Sequence, residues 1–333
     1  MECGEAYGQA LEARIMGFCR QEVRPDASHL QYAARCWSHV QRSAPASARF
    51  LKGLAKGARL SIEHLTLLAL HEEIVHQHHC TAFAATGAAT RGGNTIVGMN
   101  WDWGPNLYPW PGLLKLAVKG SPRTAAYHYP GLWASAGINE HGLAFMWTGS
   151  GYHPRLQPGV GVPTYILIAE ILRQSTVERA LAFLKRTKHA GSFIFFLGDA
   201  GGATAVVEGM PGRLAIERGD PALSRANHYA CDDLVRCSQQ HLPRAEDMTT
   251  LQRARRMAQL MEQHHGQITP AVAKRVLTDR HGPWPWLHQF PGGPQARELP
   301  AMTVDSLFAV SQDRVLWTCR GGREPGPWQK VAV

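Results

Sequence analysis

The sequence predicts an α+β protein, because segments with helical periodicity alternate with short strand-forming runs along most of the chain. Between residues 5 and 73 apolar residues recur at helical spacing, and strand patterns are absent. Further on, β-rich runs are bounded by Gly, Pro or Asn turns, and pairs of helices lie between them. No Ser/Gly/Pro-rich linker interrupts the chain, so we expect one large domain after a helical N-terminal segment.

Each element after this segment rests on its own local pattern. β-branched and aromatic residues mark the strands, Pro163 suits the first turn of a helix, and Asp199 with the two glycines that follow suits a hairpin turn. In chain order we predict strands over residues 94–99, 114–118, 125–129 and 143–147, helices over 162–173 and 176–186, a hairpin over 193–197 and 204–208, helices over 248–262 and 270–278, and a strand pair over 306–311 and 314–318.

The net charge of +9 raises the question of a nucleic-acid partner. Lysine and arginine are scattered, however, and no RNA-recognition, zinc-finger or basic-helix pattern is present, so we expect no nucleic-acid binding. In the densest basic run we predict that Arg253, Arg255 and Arg256 occupy the solvent-exposed face of a helix. The surplus charge favours an anionic substrate, such as a carboxylate or a CoA thioester.

The cysteine count and the N-terminus bear on location. Seven cysteines form no even disulfide framework, and the N-terminus has neither the basic region nor the apolar region of a signal peptide. No apolar run is long enough to cross a bilayer. We therefore expect a cytoplasmic protein with reduced thiols and no membrane partner.

The segment CTAFAATGAATRGGNTIVGMNWDW, residues 80–103, points to chemistry. It places Cys80 ahead of a strand, a Gly-rich turn, a second strand and Asp102. No Cys-His-Asn protease signature surrounds this thiol, so its base must come from elsewhere. If the chain is cut between His79 and Cys80, the freed α-amino group, with a reference pKa of about 7.7 to 8, can take the thiol proton. Asp102 would then hold the ammonium.

Five motifs occur together in a fixed order. They are Cys80-Thr81, NWD at 100–102, GINEHGLAF at 137–145, FIFFLGDAGGATAVVEG at 193–209 and RANH at 225–228. With this set the chain resembles the acyl-CoA:6-aminopenicillanate acyltransferase family of cysteine-type N-terminal nucleophile (Ntn) hydrolases. Choloylglycine hydrolases and penicillin V acylases are more distant relatives. The resemblance covers roughly residues 60–320.

This resemblance implies a four-layer αββα sandwich, with residues 1–79 as a helical pro-segment and residues 80–333 as the catalytic domain. It implies that Cys80 is the nucleophile, that Asp102 positions its amine and that Asn227 donates to the oxyanion. Thr148 lies near a strand position from which relatives present a further oxyanion or substrate contact. Trp101 and nearby aromatic residues suit either an apolar acyl pocket or the core.

Three positions depart from the patterns of the relatives. His79 stands where the family commonly has Gly before the nucleophile, and a Cβ there narrows the backbone conformations open to a strained scissile bond. Self-cleavage would be slower, unless the imidazole assists it. Met99 replaces an arginine of choloylglycine hydrolases, which disfavours bile-salt or penicillin V acylase activity. Thr303 replaces an arginine of the penicillin acyltransferase, so that enzyme's own substrate is not implied.

Simpler explanations exist for each predicted site residue. Cys80 alone would be a buried core thiol, Asp102 a turn residue or helix cap, and Asn227 a turn cap. A zinc-binding protein is a further alternative, because His71, His76, His78, His79 and Cys80 have suitable ligand types. His71 and His76 are five residues apart instead of the four of an HExxH site, and no CxxC pair is present. A catalytically inactive relative that serves as a binding module is the third alternative, and His79 favours it.

The predicted function is that of a self-processing amidohydrolase or acyltransferase. It would break a non-peptide or small-peptide C–N amide bond through a thioester on Cys80. Water would complete a hydrolysis, whereas an amine or CoA acceptor would complete a transfer. The chemistry calls for no cofactor and no metal, and we expect the two fragments to remain associated.

Overall fold

The computed structural model describes residues 1–23, 25–75, 79–151, 156–219, 221–240, 249–280, 287–290 and 301–333. Arg24, His76, His78 and Met248, which fall within predicted elements or sites, lie outside these ranges. The helices are α1 Glu2–Ala10, α2 Glu12–Glu22, α3 Ala27–Ser43, α4 Pro45–Gly57, α5 Ile62–Ala69, α6 His71–Ile74, α7 Thr164–Ile171, α8 Val177–Arg186, α9 Asp232–Ser238, α10 Thr249–Gln263 and α11 Pro270–Leu277.

Strands make up the centre of the molecule. They are β1 Thr81–Gly87, β2 Gly93–Trp103, β3 Gly112–Leu116, β4 Thr124–Tyr129, β5 Leu132–Asn139, β6 Ala144–Gly149, β7 Phe193–Gly198, β8 Thr204–Met210, β9 Arg213–Glu217, β10 Ala222–Arg225, β11 Met302–Val310, β12 Val315–Arg320 and β13 Trp328–Ala332. One antiparallel sheet has the order β10-β1-β2-β11-β12-β13, and the other has the order β3-β4-β5-β6-β7-β8-β9.

The two sheets pack face to face, and helices cover both outer faces. Alternate residues of β2, such as Val97, Met99 and Trp101, join the core between the sheets. On the other face of the same sheet, Phe83 and Phe308 pack against α10 and α11. Helix α7 packs against β5 of the second sheet and contacts α4 and α5. These layers confirm the predicted αββα sandwich.

The N-terminal segment is helical, as predicted, and is tied to the second sheet and to α7. The Tyr7 hydroxyl lies 3.0 Å from His128 Nδ1, and the Phe18 ring stacks on Tyr129. Thr164 donates its main-chain N–H and its hydroxyl to buried Glu73, each over 2.8 Å. Buried apolar contacts and buried hydrogen bonds therefore hold the N-terminal helical segment to the rest of the fold.

Most predicted elements are present with shifted ends, but strand β5 and a few short elements were not predicted. The eight residues of β5 are all buried and include small and polar residues, so no alternation of apolar and polar positions marks this strand. Strands β9, β10 and β13 and helix α9 have between four and seven residues each, which is too short for a clear periodic pattern. Within the described ranges, no helix combines the length and the apolar character that a bilayer crossing requires.

Candidate active site

Cys80 directly precedes β1 and belongs to the main buried core. Its side chain is buried, with 6% of its surface exposed. The strands β1 and β2 pair with Thr81 opposite Asn100, so Cys80 enters the sheet beside the end of β2. The Cys80 Sγ lies 3.9 Å from the main-chain oxygen of Asp102. The short turn between the strands thus brings together two residues that are 22 positions apart.

Burial and a nearby charge keep the Cys80 thiol protonated in the continuous chain. Burial raises the pKa of Cys80 to about 12, and the nearby negative charge of Asp102 adds to the rise. A thiol with this pKa is protonated near neutral pH, so nucleophilic attack requires a base within reach. Catalysis at this thiol therefore requires a neighbouring group that takes its proton, and an α-amine freed at Cys80 is suited to that role.

Asp102 is fully buried within β2, so it is neither a turn residue nor a helix cap. Its Oδ1 accepts a 2.6 Å hydrogen bond from Thr303, which pairs with it across β2 and β11. Burial raises the pKa of Asp102 to about 7, against the lowering effect of the Arg253 charge and of the Thr303 hydrogen bond. Its Oδ2 accepts no hydrogen bond from the described residues. A buried acceptor of this kind suits an ammonium group.

Asn227 lies in the buried loop between β10 and α9, and its amide is held in one orientation. Its Oδ1 accepts a 2.8 Å hydrogen bond from Arg253, and its Nδ2 donates to the Gly149 carbonyl over 2.9 Å. Because guanidinium only donates, the oxygen of this amide must face Arg253. Among the described residues Nδ2 uses one of its two hydrogens, so the second can serve a further acceptor, and the predicted oxyanion role of Asn227 stays a prediction.

Thr148 and Trp101 occupy different places around this centre. The Thr148 hydroxyl donates over 2.5 Å to the carbonyl of Ala226, so it anchors the loop that carries Asn227. Trp101 is buried between the sheets, with ring centroids 5.4 Å from Tyr129 and 5.5 Å from Trp147. It therefore belongs to the aromatic core next to the thiol, and its contact with substrate stays a prediction.

The prediction for Arg253 was wrong, because its side chain is fully buried. Its Nη1 donates to the main-chain oxygen of Cys80 and to the Thr81 hydroxyl, the latter over 2.7 Å. Arg255 is exposed as predicted, and Arg256 is partly buried in an ion pair. A signal for this burial existed, since Arg253 precedes Met257 by four residues and so falls on the apolar face of α10.

Of the histidines considered as zinc ligands, His71 is paired with carboxylates, and His76 and His78 lie outside the described residues. The His71 Nε2 lies 3.0 Å from Glu22, and its Nδ1 lies 3.7 Å from Glu72. Although burial opposes the positive charge, these carboxylates raise the pKa of His71 to about 9. A protonated imidazole is a poor metal ligand. In the described part of the chain no three potential ligands are grouped for a metal.

The layered fold, with Cys80 at the start of a central strand, is that of an Ntn hydrolase. A crystal structure of a mutant conjugated bile acid hydrolase from Clostridium perfringens superposes with a TM-score of 0.55 and 15% identity, over 76% of this chain and 92% of that chain. A second variant of the same enzyme gives a TM-score of 0.54 with the same identity and coverage. A penicillin V acylase from Agrobacterium tumefaciens gives 0.48 and 15%, over 75% of this chain and 90% of that chain.

The sequence places the chain within one family of this class. It belongs to the acyl-coenzyme A:6-aminopenicillanic acid acyl-transferase family, whose pattern matches residues 89–292. This match includes Asp102, Thr148, Asn227 and Arg253 and begins after Cys80. No curated protein sequence matches the chain significantly. Membership supports an enzyme of the Ntn amidohydrolase or acyltransferase type.

Proposed function

We propose that the chain cleaves itself before Cys80 and then breaks a small-molecule C–N amide bond through a thioester on that residue. The observation that carries the proposal is the buried Cys80 beside Asp102, whose Oδ2 accepts no hydrogen bond from the described residues. A freed α-amino group at Cys80 would supply a hydrogen-bond donor at this place and, as the neutral amine, a base for the thiol.

Self-cleavage would use the same thiol. The Cys80 Sγ attacks the carbonyl carbon of His79, the C–N bond breaks and the nitrogen takes the thiol proton. The resulting thioester joins residues 1–79 to the sulfur. Water then hydrolyses it, which releases the carboxylate of His79 and restores the thiol next to a free α-amine. Residues 1–79 are thus a pro-segment, and residues 80–333 form the catalytic domain.

The catalytic cycle repeats this chemistry on a substrate amide. The Cys80 sulfur attacks the substrate carbonyl while the α-amine accepts the thiol proton. Asn227 donates to the oxyanion, and the amine then protonates the departing nitrogen. Water completes a hydrolysis, or an amine or CoA thiol takes the acyl group from the thioester. No step of this cycle requires a cofactor.

The pro-segment is expected to stay bound after cleavage. It supplies the buried side chains of Tyr7, Phe18 and Phe50 to the main core. It also supplies Glu72, which accepts a 2.9 Å hydrogen bond from Tyr165 and whose charge acts on the Cys80 thiol. Because the site and the core are incomplete without these residues, we expect a stable complex of the two fragments.

Purified wild-type protein provides the main test. We expect two bands on a denaturing gel, corresponding to residues 1–79 and 80–333, with Cys80 first in the larger fragment by N-terminal sequencing. The two fragments should elute together in gel filtration. A panel of N-acyl amino acids, N-acyl amines and β-lactams should then reveal amidase activity. An uncut chain without activity would support the binding-module alternative, and stoichiometric bound zinc would support the metal-site alternative.

The residue before the scissile bond controls how fast the cut occurs. If the Cβ of His79 merely restricts the backbone, His79→Gly should accelerate processing, since glycine reaches strained conformations at lower cost. An assisting imidazole predicts slower processing instead, and His79→Gln then serves as a control with a side chain but no base. A time course of band conversion gives the sign. Equal rates for all three proteins would remove both roles.

A further inference from the structure

Arg253 links the predicted nucleophile to the predicted oxyanion donor. One nitrogen of its guanidinium donates to the Cys80 carbonyl, and the other donates to Asn227 Oδ1 over 2.8 Å. These acceptors belong to separate parts of the chain, one next to β1 and the other after β10. The planar fork of an arginine fixes both its acceptors in relation to each other, which a lysine cannot do.

Helix α10 reinforces the same connection at a second point. The Thr250 hydroxyl, one turn before Arg253, accepts a 2.9 Å hydrogen bond from the main-chain nitrogen of Asn227. The loop of Asn227 is thus held to α10 through both its main chain and its side chain. Burying a guanidinium is costly unless its donors are well paired, so this placement is hard to explain as ordinary packing.

We infer that Arg253 is a positioning residue, which aligns the amide of Asn227 with Cys80 and places a fixed positive charge beside the nucleophile. This role rests on the proposed function, because it concerns the α-amine that self-cleavage would free. It adds a residue from outside the motifs, on a helix whose basic run resembled a solvent-exposed face.

The charges facing Cys80 determine what this cation does. Asp102 faces it from β2, Glu72 from α6 and Arg253 from α10. Next to Arg253, burial lowers the pKa of His228 to about 4, so that imidazole is neutral. Burial raises the pKa of Tyr129 and of Tyr165 well above the usual range, so both phenols are neutral too.

Arg253 therefore opposes the effect of two carboxylates on the pKa of the Cys80 amine, which is the base of the proposed reaction. Asp102 and Glu72 favour the ammonium form of the Cys80 amine, in which it cannot accept a proton. A buried positive charge favours the free amine instead. Removing the charge of Arg253 should raise the pKa of the amine. The acidic limb of the pH profile of kcat/KM, along which protonation of the amine lowers the rate, should then move to higher pH.

Two substitutions separate charge from geometry, measured on processed enzyme or on the two co-expressed fragments. Arg253→Met removes the charge and the fork, and should shift the acidic limb upward. Arg253→Lys keeps the charge and loses the fork, so kcat should fall about 10- to 100-fold, as for a misplaced catalytic group, while the limb stays in place. Arg255→Met is the matched control, because Arg255 is exposed on the same helix. Its kcat and pH profile should equal those of the wild type.

Two further measurements exclude a purely structural role. Asp102→Asn should move the acidic limb in the opposite direction, to lower pH, if charge sets the pKa of the amine. In an Asn227→Ala background Arg253→Lys should cost little more, because residues that act through one another are not additive. If Arg253→Met does not fold, Arg253→Lys and the double variant still show whether Arg253 acts through Asn227.

The inference is overturned if folded Arg253→Lys keeps wild-type kcat, or if Arg253→Met keeps the wild-type acidic limb. Both results would occur in a processed and active enzyme. They are therefore distinct from a failure of the proposed function, in which the wild-type chain itself stays uncut and inactive.

Discussion

Cys80→Ala should leave the chain as a single uncut polypeptide and reduce amidase activity to background. The substitution removes the only atom that attacks in the proposed self-cleavage and in the proposed catalytic cycle. A methyl group at a buried position changes the packing little, so the protein should fold. Intact mass and gel mobility report processing, and the substrate panel reports activity.

A second buried cysteine provides the matched control for this experiment. Cys36 is a free, fully buried thiol in α3. Cys36→Ala should be processed at the wild-type rate and keep wild-type kcat, whatever it does to thermal stability. A Cys80→Ala protein that is still cut between residues 79 and 80, or that still hydrolyses amides, would contradict the mechanism.

The pairing of Cys80 with Asp102 could be predicted from the sequence because the two residues are close along the chain. Cys80 directly precedes β1 and Asp102 lies near the end of β2, and a Gly-rich turn joins these two strands into a hairpin that fixes which residues meet. The order of the motifs then supplied Asn227. The αββα layers followed from the resemblance, whereas strand and helix propensities alone indicate only an α+β protein.

The remaining contacts depend on pairings that no local pattern encodes. Thr303 reaches Asp102 because β11 pairs with β2, and these strands lie some 200 residues apart along the chain. Thr148 of β6 contacts the loop of Asn227 after β10 across a gap of 78 residues. Such non-local pairings depend on the whole topology, so the sequence could name these residues without giving their partners.

Arg253 illustrates a different limit. A charged residue in a basic run usually lies in solvent, and burial of an arginine is rare unless it is paired. The helical spacing to Met257 placed it on the apolar face of α10, which conflicts with its charge. A conflict between charge and position marks a residue whose partners are specific, and here they are Cys80, Thr81 and Asn227.

The electrostatics of the continuous chain also fit the proposed precursor, which would act on its own scissile bond before it acts on substrates. Burial and the charge of Asp102 keep the Cys80 thiol protonated, and the nitrogen of Cys80 is still part of a peptide bond. Cleavage would turn the peptide nitrogen of Cys80 into an α-amine. When neutral, this amine can take the thiol proton, and when protonated, its positive charge stabilises the thiolate. The proposed switch is thus one covalent change at one residue, without rearrangement of the sheets.

Asn227→Ala should lower kcat and kcat/KM together, by about two to three orders of magnitude, with little change in KM. The reason is that an oxyanion donor acts mostly in the transition state. Asn139→Ala is the control, because Asn139 is equally buried and its amide bonds the carbonyls of Leu172 and Gln174, away from Cys80. That variant should lose thermal stability but keep kcat in its folded fraction.

The Asn227 experiment requires a correctly formed Cys80 terminus, so the two fragments should be co-expressed if the variant processes slowly. The substitution also removes an acceptor of Arg253, and a melting temperature for each variant shows how much stability this costs. Near-wild-type kcat in folded, processed Asn227→Ala would assign Asn227 a structural role. The oxyanion donor would then lie elsewhere, and Thr148→Val would be the next test, since it removes a hydroxyl and keeps the shape of the side chain.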